Sequence, residues 1–229
     1  VILNQARRVE FDPVNKSVWA ESGANLGALA RQAGRLGYTG LEWAAGIPGT
    51  VGGALVGNAG AHGSDLASNL IMAEILHQGM QEQVQNWTVD RFDFAYRTSI
   101  FKEPGGAQIV ALCARLQLAV PSLGNAGTIQ ARMEELTAQR RRTQPPGASM
   151  GSMFKNPPGD YAGRLIESAG LKGARVGGAE ISQLHANFMV NRNQASAEDY
   201  RKLIEMARQA VKEKFGIDLN LEVELVGEW

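Results

Sequence analysis

The 229-residue chain holds a single cysteine, Cys113, so no intrachain disulfide framework is available to it. It has no run of about 18 apolar residues, which argues against a membrane-spanning helix, and no signal peptide opens it. Neither sign of charge is in surplus: Lys plus Arg and Asp plus Glu number 23 each, for a formal net charge of zero. No bulk field therefore favours nucleic acid or an anionic membrane as partner. Histidine is scarce too. His62, His77 and His185 stand far apart, and with no second cysteine no metal site is expected. His77 reads as exposed near a turn, and Cys113, inside the alternating run Val110–Leu116, as a buried thiol. Together these absences fit a soluble protein of a reducing, cytoplasmic setting.

What is present suits a globular protein of one large domain or two modest ones. Hydrophobic residues make up 44% and charged residues 20%, enough apolar surface for a core without disulfide or metal support. Val9 and Phe11, then Val18 and Ala20, alternate with polar neighbours around Asp12-Pro13-Val14-Asn15, which predicts a hairpin. Leu26, Leu29, Ala30, Ala33 and Leu36 recur at helical spacing before Gly37. Residues 69–120 read as β-rich, with strands at 71–76, 81–88 and 108–120 and a turn at Gln78-Gly79. A charged helix is expected over 128–142, with Ile129, Met133 and Leu136 on its inner side. Gln144-Pro145-Pro146-Gly147 then breaks regular structure. Further on, Ser196 with Asp199 resembles a capping box opening a helix whose buried stripe is Tyr200, Leu203, Ile204, Ala207 and Val211. The tail from Ile217 to Val226 reads as a strand.

Seven glycines fall within the eighteen residues from Gly46 to Gly63. That density is hard to reconcile with a helix interior, where each glycine costs about 1 kcal/mol relative to alanine. It suits a backbone that turns sharply or approaches a ligand closely. The spacing matches neither a dinucleotide-binding G-x-G-x-x-G nor a phosphate loop with its lysine.

Three other residues carry chemical interest with an ordinary reading beside it. Arg97 is either a structural arginine at a strand end or a planar donor fork for a carboxylate. Ser152, between Gly151 and Met153, is either a turn residue bonding to local backbone or a proton donor whose neighbours polarise it. Glu222 shares the Asn220 and Glu224 face of the tail, and is either exposed or a partly buried carboxylate that handles protons.

The string Gly46-Ile47-Pro48-Gly49-Thr50-Val51-Gly52-Gly53, with Asn58-Ala59-Gly60-Ala61, resembles the flavin-contacting segment of the UDP-N-acetylenolpyruvoylglucosamine reductase (MurB) family. Further segments resemble that family in the same order: Tyr96-Arg97-Thr98-Ser99-Ile100-Phe101, Gly151-Ser152-Met153-Phe154-Lys155-Asn156-Pro157, Ala162-Gly163-Arg164-Leu165-Ile166-Glu167, Gly177-Gly178-Ala179, His185-Ala186-Asn187-Phe188 and Leu219-Asn220-Leu221-Glu222-Val223.

The resemblance implies an FAD-mediated, NADPH-dependent reduction of UDP-N-acetylglucosamine enolpyruvate to UDP-N-acetylmuramate in peptidoglycan synthesis. It assigns proton delivery to Ser152 and stabilisation of an enol-like intermediate to Arg97 and Glu222. Flavin contacts fall to Gly46, Ile47, Pro48, Gly49, Thr50, Gly52, Gly53, Asn58 and Gly60, and substrate contacts to Tyr96, Asn156 and Lys155. The short interval from Pro157 to Leu165 matches the family's shorter subtype. His62 stands where relatives often carry tyrosine and Glu224 where many carry arginine. Nothing resembles the family's glycine-serine-asparagine pyrophosphate loop, so the chain is expected to lack that region and to bind FAD weakly by itself.

The expected fold is α+β. Residues 1–144 would form an FAD-binding portion with a mixed sheet and helices, 145–221 a smaller α+β substrate domain, and 222–229 a strand returning to the flavin side. Ser152, Arg97 and Glu222 are expected around one cleft. Another flavin oxidoreductase with this cofactor domain, and a non-catalytic UDP-sugar-binding remnant, remain as alternatives.

Overall fold

The structure is a computed structural model that describes residues 5–77, 84–103, 106–121, 126–146 and 149–227. The chain divides into two compact units, Val1–Ala138 and Gln139–Trp229, with the division falling inside one helix.

Unit 1 is built on a five-stranded sheet in the order β1-β2-β7-β5-β6. Its strands are β1 (Val9–Asp12), β2 (Ser17–Glu21), β5 (Leu70–His77), β6 (Val84–Thr88) and β7 (Ile109–Gln117). Every described pairing in it is antiparallel, which narrows the mixed sheet expected from the sequence. Hairpins generate this pattern. Asp12 closes the first by accepting from the N–H groups of Val14 and Asn15, both at 3.0 Å, as an Asx turn does. The expected turn at Gln78-Gly79 and residues 81–83 of the expected second strand lie outside the described residues.

Helix α1 (Leu26–Arg35) starts where the Asn25 side chain accepts from Ala28 N–H, and buries Leu26, Leu29, Ala30 and Ala33. Helix α2 (Val51–Gly57) is the element that the sequence misjudged: the glycine-rich stretch contains a helix. It forms because Thr50 caps it, accepting from Gly53 N–H at 3.2 Å, and because Val51, Ala54 and Leu55 bury one face. Core packing thus outweighs the poor helix propensity of glycine. A two-stranded hairpin, β3 (Gly60–Ala61) and β4 (Ser64–Asp65), follows. His77 is half-buried, not exposed. Cys113 is 1% exposed, and burial pushes its thiol up to about 11, so it stays protonated and inert.

Helix α3 (Ala126–Thr143) spans the division between the units and buries Ile129, Met133 and Leu136. Unit 2 carries a four-stranded antiparallel sheet in the order β8-β11-β10-β9, from β8 (Ser149–Ser152), β9 (Arg175–Val176), β10 (Ala179–Ile181) and β11 (Phe188–Asn191). Helices α4 (Ala162–Ser168) and α5 (Ala197–Phe215) complete it. The capping box of Ser196 and Asp199 is present, Leu203, Ile204, Ala207 and Val211 are buried, and Gly216 ends α5 at φ 70°. The expected strand over 217–226 is not formed. One bridge, Leu221 to Phe154, replaces it. Leu219 is buried and Leu221 and Val223 pack on the core, while Glu224, Leu225 and Val226 are exposed. Burial therefore holds the tail only through Val223, and alternation alone does not make a ladder.

Among the described residues no helix is long and apolar enough to cross a membrane, and no cluster of acidic, histidine or cysteine side chains fits a metal ion.

Candidate functional site

In unit 1 the glycine-rich segment is fixed by its neighbours on the inside and bare on the outside. A bulge in β7, where Glu74 faces Cys113 and Ile75 faces Ala111, interrupts the ladder at Leu112. At this point Ser22 bonds β7 twice, its N–H donating to Leu112 O at 2.9 Å and its hydroxyl to Ala111 O at 2.6 Å. The carbonyl of Ser22 accepts from Gly52 N–H at 2.9 Å, and Val51 N–H donates to Ala24. A Cβ on Gly52 would lie 2.8 Å from that of Ser22, so glycine is a packing requirement there.

Gly49, Gly53 and Gly57 differ. Added Cβ atoms at Gly49 and Gly57 meet nothing within 4 Å, and at Gly53 only the Thr50 hydroxyl at 3.5 Å. Gly49 has a positive φ of 118° to explain it, whereas Gly53 and Gly57 have neither strain nor crowding. Their missing side chains leave an open strip of backbone on the outer side of α2. Pro48, Gly49 and Gly53 are exposed and Gly46, Ile47 and Thr50 half-buried, so this strip includes most of the expected flavin contacts.

The second motif docks on the same segment. Ala95 and Thr98 exchange backbone hydrogen bonds at 3.2 Å across a tight turn with Arg97 in the left-handed region, φ 57°. Three bonds tie this turn to α2 and the β3–β4 hairpin: Asn58 Nδ2 to Ala95 O, Arg97 Nη2 to Gly60 O and Ser99 Oγ to Val56 O, at 3.2, 2.9 and 2.7 Å. Phe92, fully buried, stacks on Phe94 and Phe101 and supports the turn from inside. A left-handed arginine costs about 1–2 kcal/mol, and such strain collects at functional sites. Tyr96 is exposed, with the Arg97 guanidinium 5.5 Å from its ring centre. Asn58 is 4% exposed, and its carboxamide also donates to Asp65 and accepts from Ala67 N–H. Its visible task is to hold this corner. His62, at φ 55°, is exposed at the hairpin tip.

Unit 2 holds a cavity of about 430 Å³ with a mixed polar and apolar lining. Ser152, Asn156, Tyr161, Arg164, Glu167, His185 and the largely buried Asn187 are its polar lining residues. Ser152 ends β8 opposite Phe188 instead of sitting in a turn. Asn156 Oδ1 accepts from Ala162 N–H at 3.1 Å, and so caps α4, whose own N-cap residue Tyr161 makes no side-chain bond. Lys155 is half-buried, its N–H donating to Asn220 O at 2.8 Å. Glu222 N–H donates to Met153 O at 2.9 Å, which brings Glu222 beside the residue that follows Ser152. Ser152 and Glu222 thus share one locality of unit 2, while Arg97 belongs to unit 1.

His185 is the wall residue whose weight the sequence understated. Its Nδ1 accepts from Asn187 N–H at 3.2 Å, which leaves the ring proton on Nε2, and burial depresses its pKa. Only its place in the His-Ala-Asn-Phe segment signalled it. Arg164 is tethered to Asp160, whose carboxyl that guanidinium holds down at about 2.

Residues 139–226 match the family model described as UDP-N-acetylenolpyruvoylglucosamine reductase, C-terminal domain, and residues 1–79 match an FAD binding domain. The chain is 50% identical over 211 residues to the UDP-N-acetylenolpyruvoylglucosamine reductase of Chloroflexus aggregans, covering 91% of this chain and 69% of that protein. It belongs to that family. The corresponding reductase of Geobacillus thermodenitrificans is 42% identical, covering 93% of this chain and 67% of its own. The crystal structure of the reductase from Thermus caldophilus superposes with a TM-score of 0.78 at 38% identity, covering 90% of this chain and 71% of that one. Membership makes the chain a flavin-dependent oxidoreductase with FAD as cofactor. The bare strip along α2, inside the matched FAD segment, fits a flat ring system lying on backbone.

Proposed function

We propose that the protein reduces UDP-N-acetylglucosamine enolpyruvate to UDP-N-acetylmuramate with NADPH as reductant, a cytoplasmic step of peptidoglycan synthesis. Bound FAD supplies the redox chemistry, carrying two electrons from NADPH to the enolpyruvyl double bond. Gly46–Thr50, Gly52, Gly53 and Gly60 would hold the flavin through backbone, with Asn58 keeping their corner in shape. The Arg97 guanidinium pairs with the substrate carboxylate, whose charge grows as the double bond is reduced. Glu222 assists from the far side of the Ser152 segment. Ser152 Oγ gives its proton to the carbon that bears that carboxylate. A hydroxyl is a weak acid, so it needs neighbours that stabilise the oxygen it leaves behind, and Lys155 and Asn156 stand three and four residues on. Tyr96, exposed beside Arg97, is placed for substrate contact.

The observation that carries this reading is the unit 2 cavity in which Ser152 is a wall residue, with Glu222 bonded to the very next residue. The test is a pair of half-reactions on flavin-loaded protein. NADPH bleaches the visible flavin absorbance, and anaerobic addition of the enolpyruvyl UDP-sugar restores it. Restoration by oxygen alone, with no response to the UDP-sugar, contradicts the reading and favours an oxidase.

A further inference from the structure

We propose that Asn187 is a positioning residue that sets the Ser152 hydroxyl and the Glu222 backbone in register, an inference that rests on Ser152 as proton donor. Asn187 is 3% exposed and spends both ends of its carboxamide on one residue. Oδ1 accepts from Phe154 N–H at 2.9 Å, and Nδ2 donates to Phe154 O at 2.8 Å. Its backbone carbonyl accepts from Met153 N–H at 2.8 Å, and its N–H donates to His185 Nδ1. From the opposite edge the same segment is held by the tail, with Glu222 N–H on Met153 O and Lys155 N–H on Asn220 O.

Residues 153–155 therefore run between two partners. On one side is a backbone contact, the isolated Phe154–Leu221 bridge. On the other, the β8–β11 ladder ends at the Ser152–Phe188 pair, and the Asn187 carboxamide takes the place of a further strand residue. A carboxamide suits this because it carries a donor and an acceptor side by side, as a peptide group does. Without it the Phe154 N–H and C=O, in a residue 1% exposed, lose their partners at once. The neighbouring Gly151, at φ 84° and without a Cβ to restrict it, gives the backbone before Ser152 a route to relax. Ser152 then shifts, and with it the tether of Glu222. No direct contact with substrate is required of Asn187, since both ends of its side chain are committed to Phe154.

The experiment compares flavin-loaded Asn187→Ala, Asn187→Asp, Ser152→Ala and the Ser152→Ala/Asn187→Ala double variant. Its readouts are the two half-reactions and amide exchange of Met153, Phe154 and Glu222. Reoxidation by the enolpyruvyl UDP-sugar is expected to slow on the order of 100-fold in Asn187→Ala, the loss typical of a reacting group misplaced by about 1 Å. Reduction by NADPH stays near the wild-type rate, and the three amides exchange faster. The double variant is no slower than Ser152→Ala, because both act through one group. Asn187→Asp regains reoxidation relative to wild type as pH falls, since the protonated carboxyl restores a donor to Phe154 O. Equal loss of both half-reactions in Asn187→Ala, multiplied losses in the double variant, or normal reoxidation with unchanged exchange would each overturn the inference. Unchanged reoxidation in Ser152→Ala would instead remove the proton-donor reading itself, and the positioning role with it.

Discussion

The segment Gly46–Gly63 of unit 1 presents backbone by leaving side chains out, whereas Gly151–Asn156 of unit 2 presents side chains by pinning backbone. In the first, Ser22 takes the Gly52 N–H on the inner side, Thr50 caps the Gly53 N–H, and the outer strip stays bare of side chains. In the second, the Asn187 carboxamide and the 220–222 backbone secure residues 153–155 from both edges, and Ser152 is displayed at the end. A planar cofactor is best met by a surface without protrusions, while proton delivery needs one hydroxyl held to within a fraction of an ångström. On the proposed reaction, each region has the geometry its part would demand.

The contrast can be broken at single residues. Gly53→Leu should place a side chain on the bare strip and weaken flavin binding about 10- to 100-fold by an overpacking cost of about 1–3 kcal/mol, read by flavin fluorescence titration. Unchanged affinity would mean that the strip is not the flavin surface. Gly52→Ala, one residue earlier, should act on the fold as well, lowering stability by about 1–3 kcal/mol through the Ser22 contact. Gly53→Ala should do the opposite and stabilise by about 0.5–1 kcal/mol, since alanine is the better helix former and meets only Thr50 there.

Unit 2 also differs from unit 1 in resting on a buried charge. Glu180, 1% exposed, accepts from Arg175 and Arg192 across the β9–β10–β11 edge, and those guanidinia, Arg192 first, hold its carboxyl below the ordinary range. A carboxylate with a depressed folded pKa contributes stability above its unfolded value of about 4.3 and loses it as pH falls through the folded value. Glu180→Gln should therefore cost about 1–3 kcal/mol in urea unfolding at pH 7. The gap from wild type should close as pH drops below the folded value. A gap that is constant with pH would assign the loss to packing.

Much of this architecture was legible because its causes are local. The Asp12 turn, the Asn25-capped helix and the Ser196–Asp199 capping box each depend on residues within four positions. Family motifs in order pointed to Ser152, Glu222 and the glycine-rich segment. What stayed hidden is long-range. Helix α2 exists because of burial against a core assembled from distant strands, and the tail makes only an isolated bridge at Leu221, flanked by the Asn220 and Glu222 backbone bonds to Lys155 and Met153, where a strand was expected. The Asn187 clamp spans 33 positions, and one asparagine in a motif does not reveal that its partner is the Phe154 backbone.

The most direct test of the account is single-turnover stopped-flow absorbance on flavin-loaded Ser152→Ala. Bleaching by NADPH should proceed near the wild-type rate, while recovery on the enolpyruvyl UDP-sugar should slow by about 100-fold or more, the scale of a lost general acid. Recovery at the wild-type rate would contradict it.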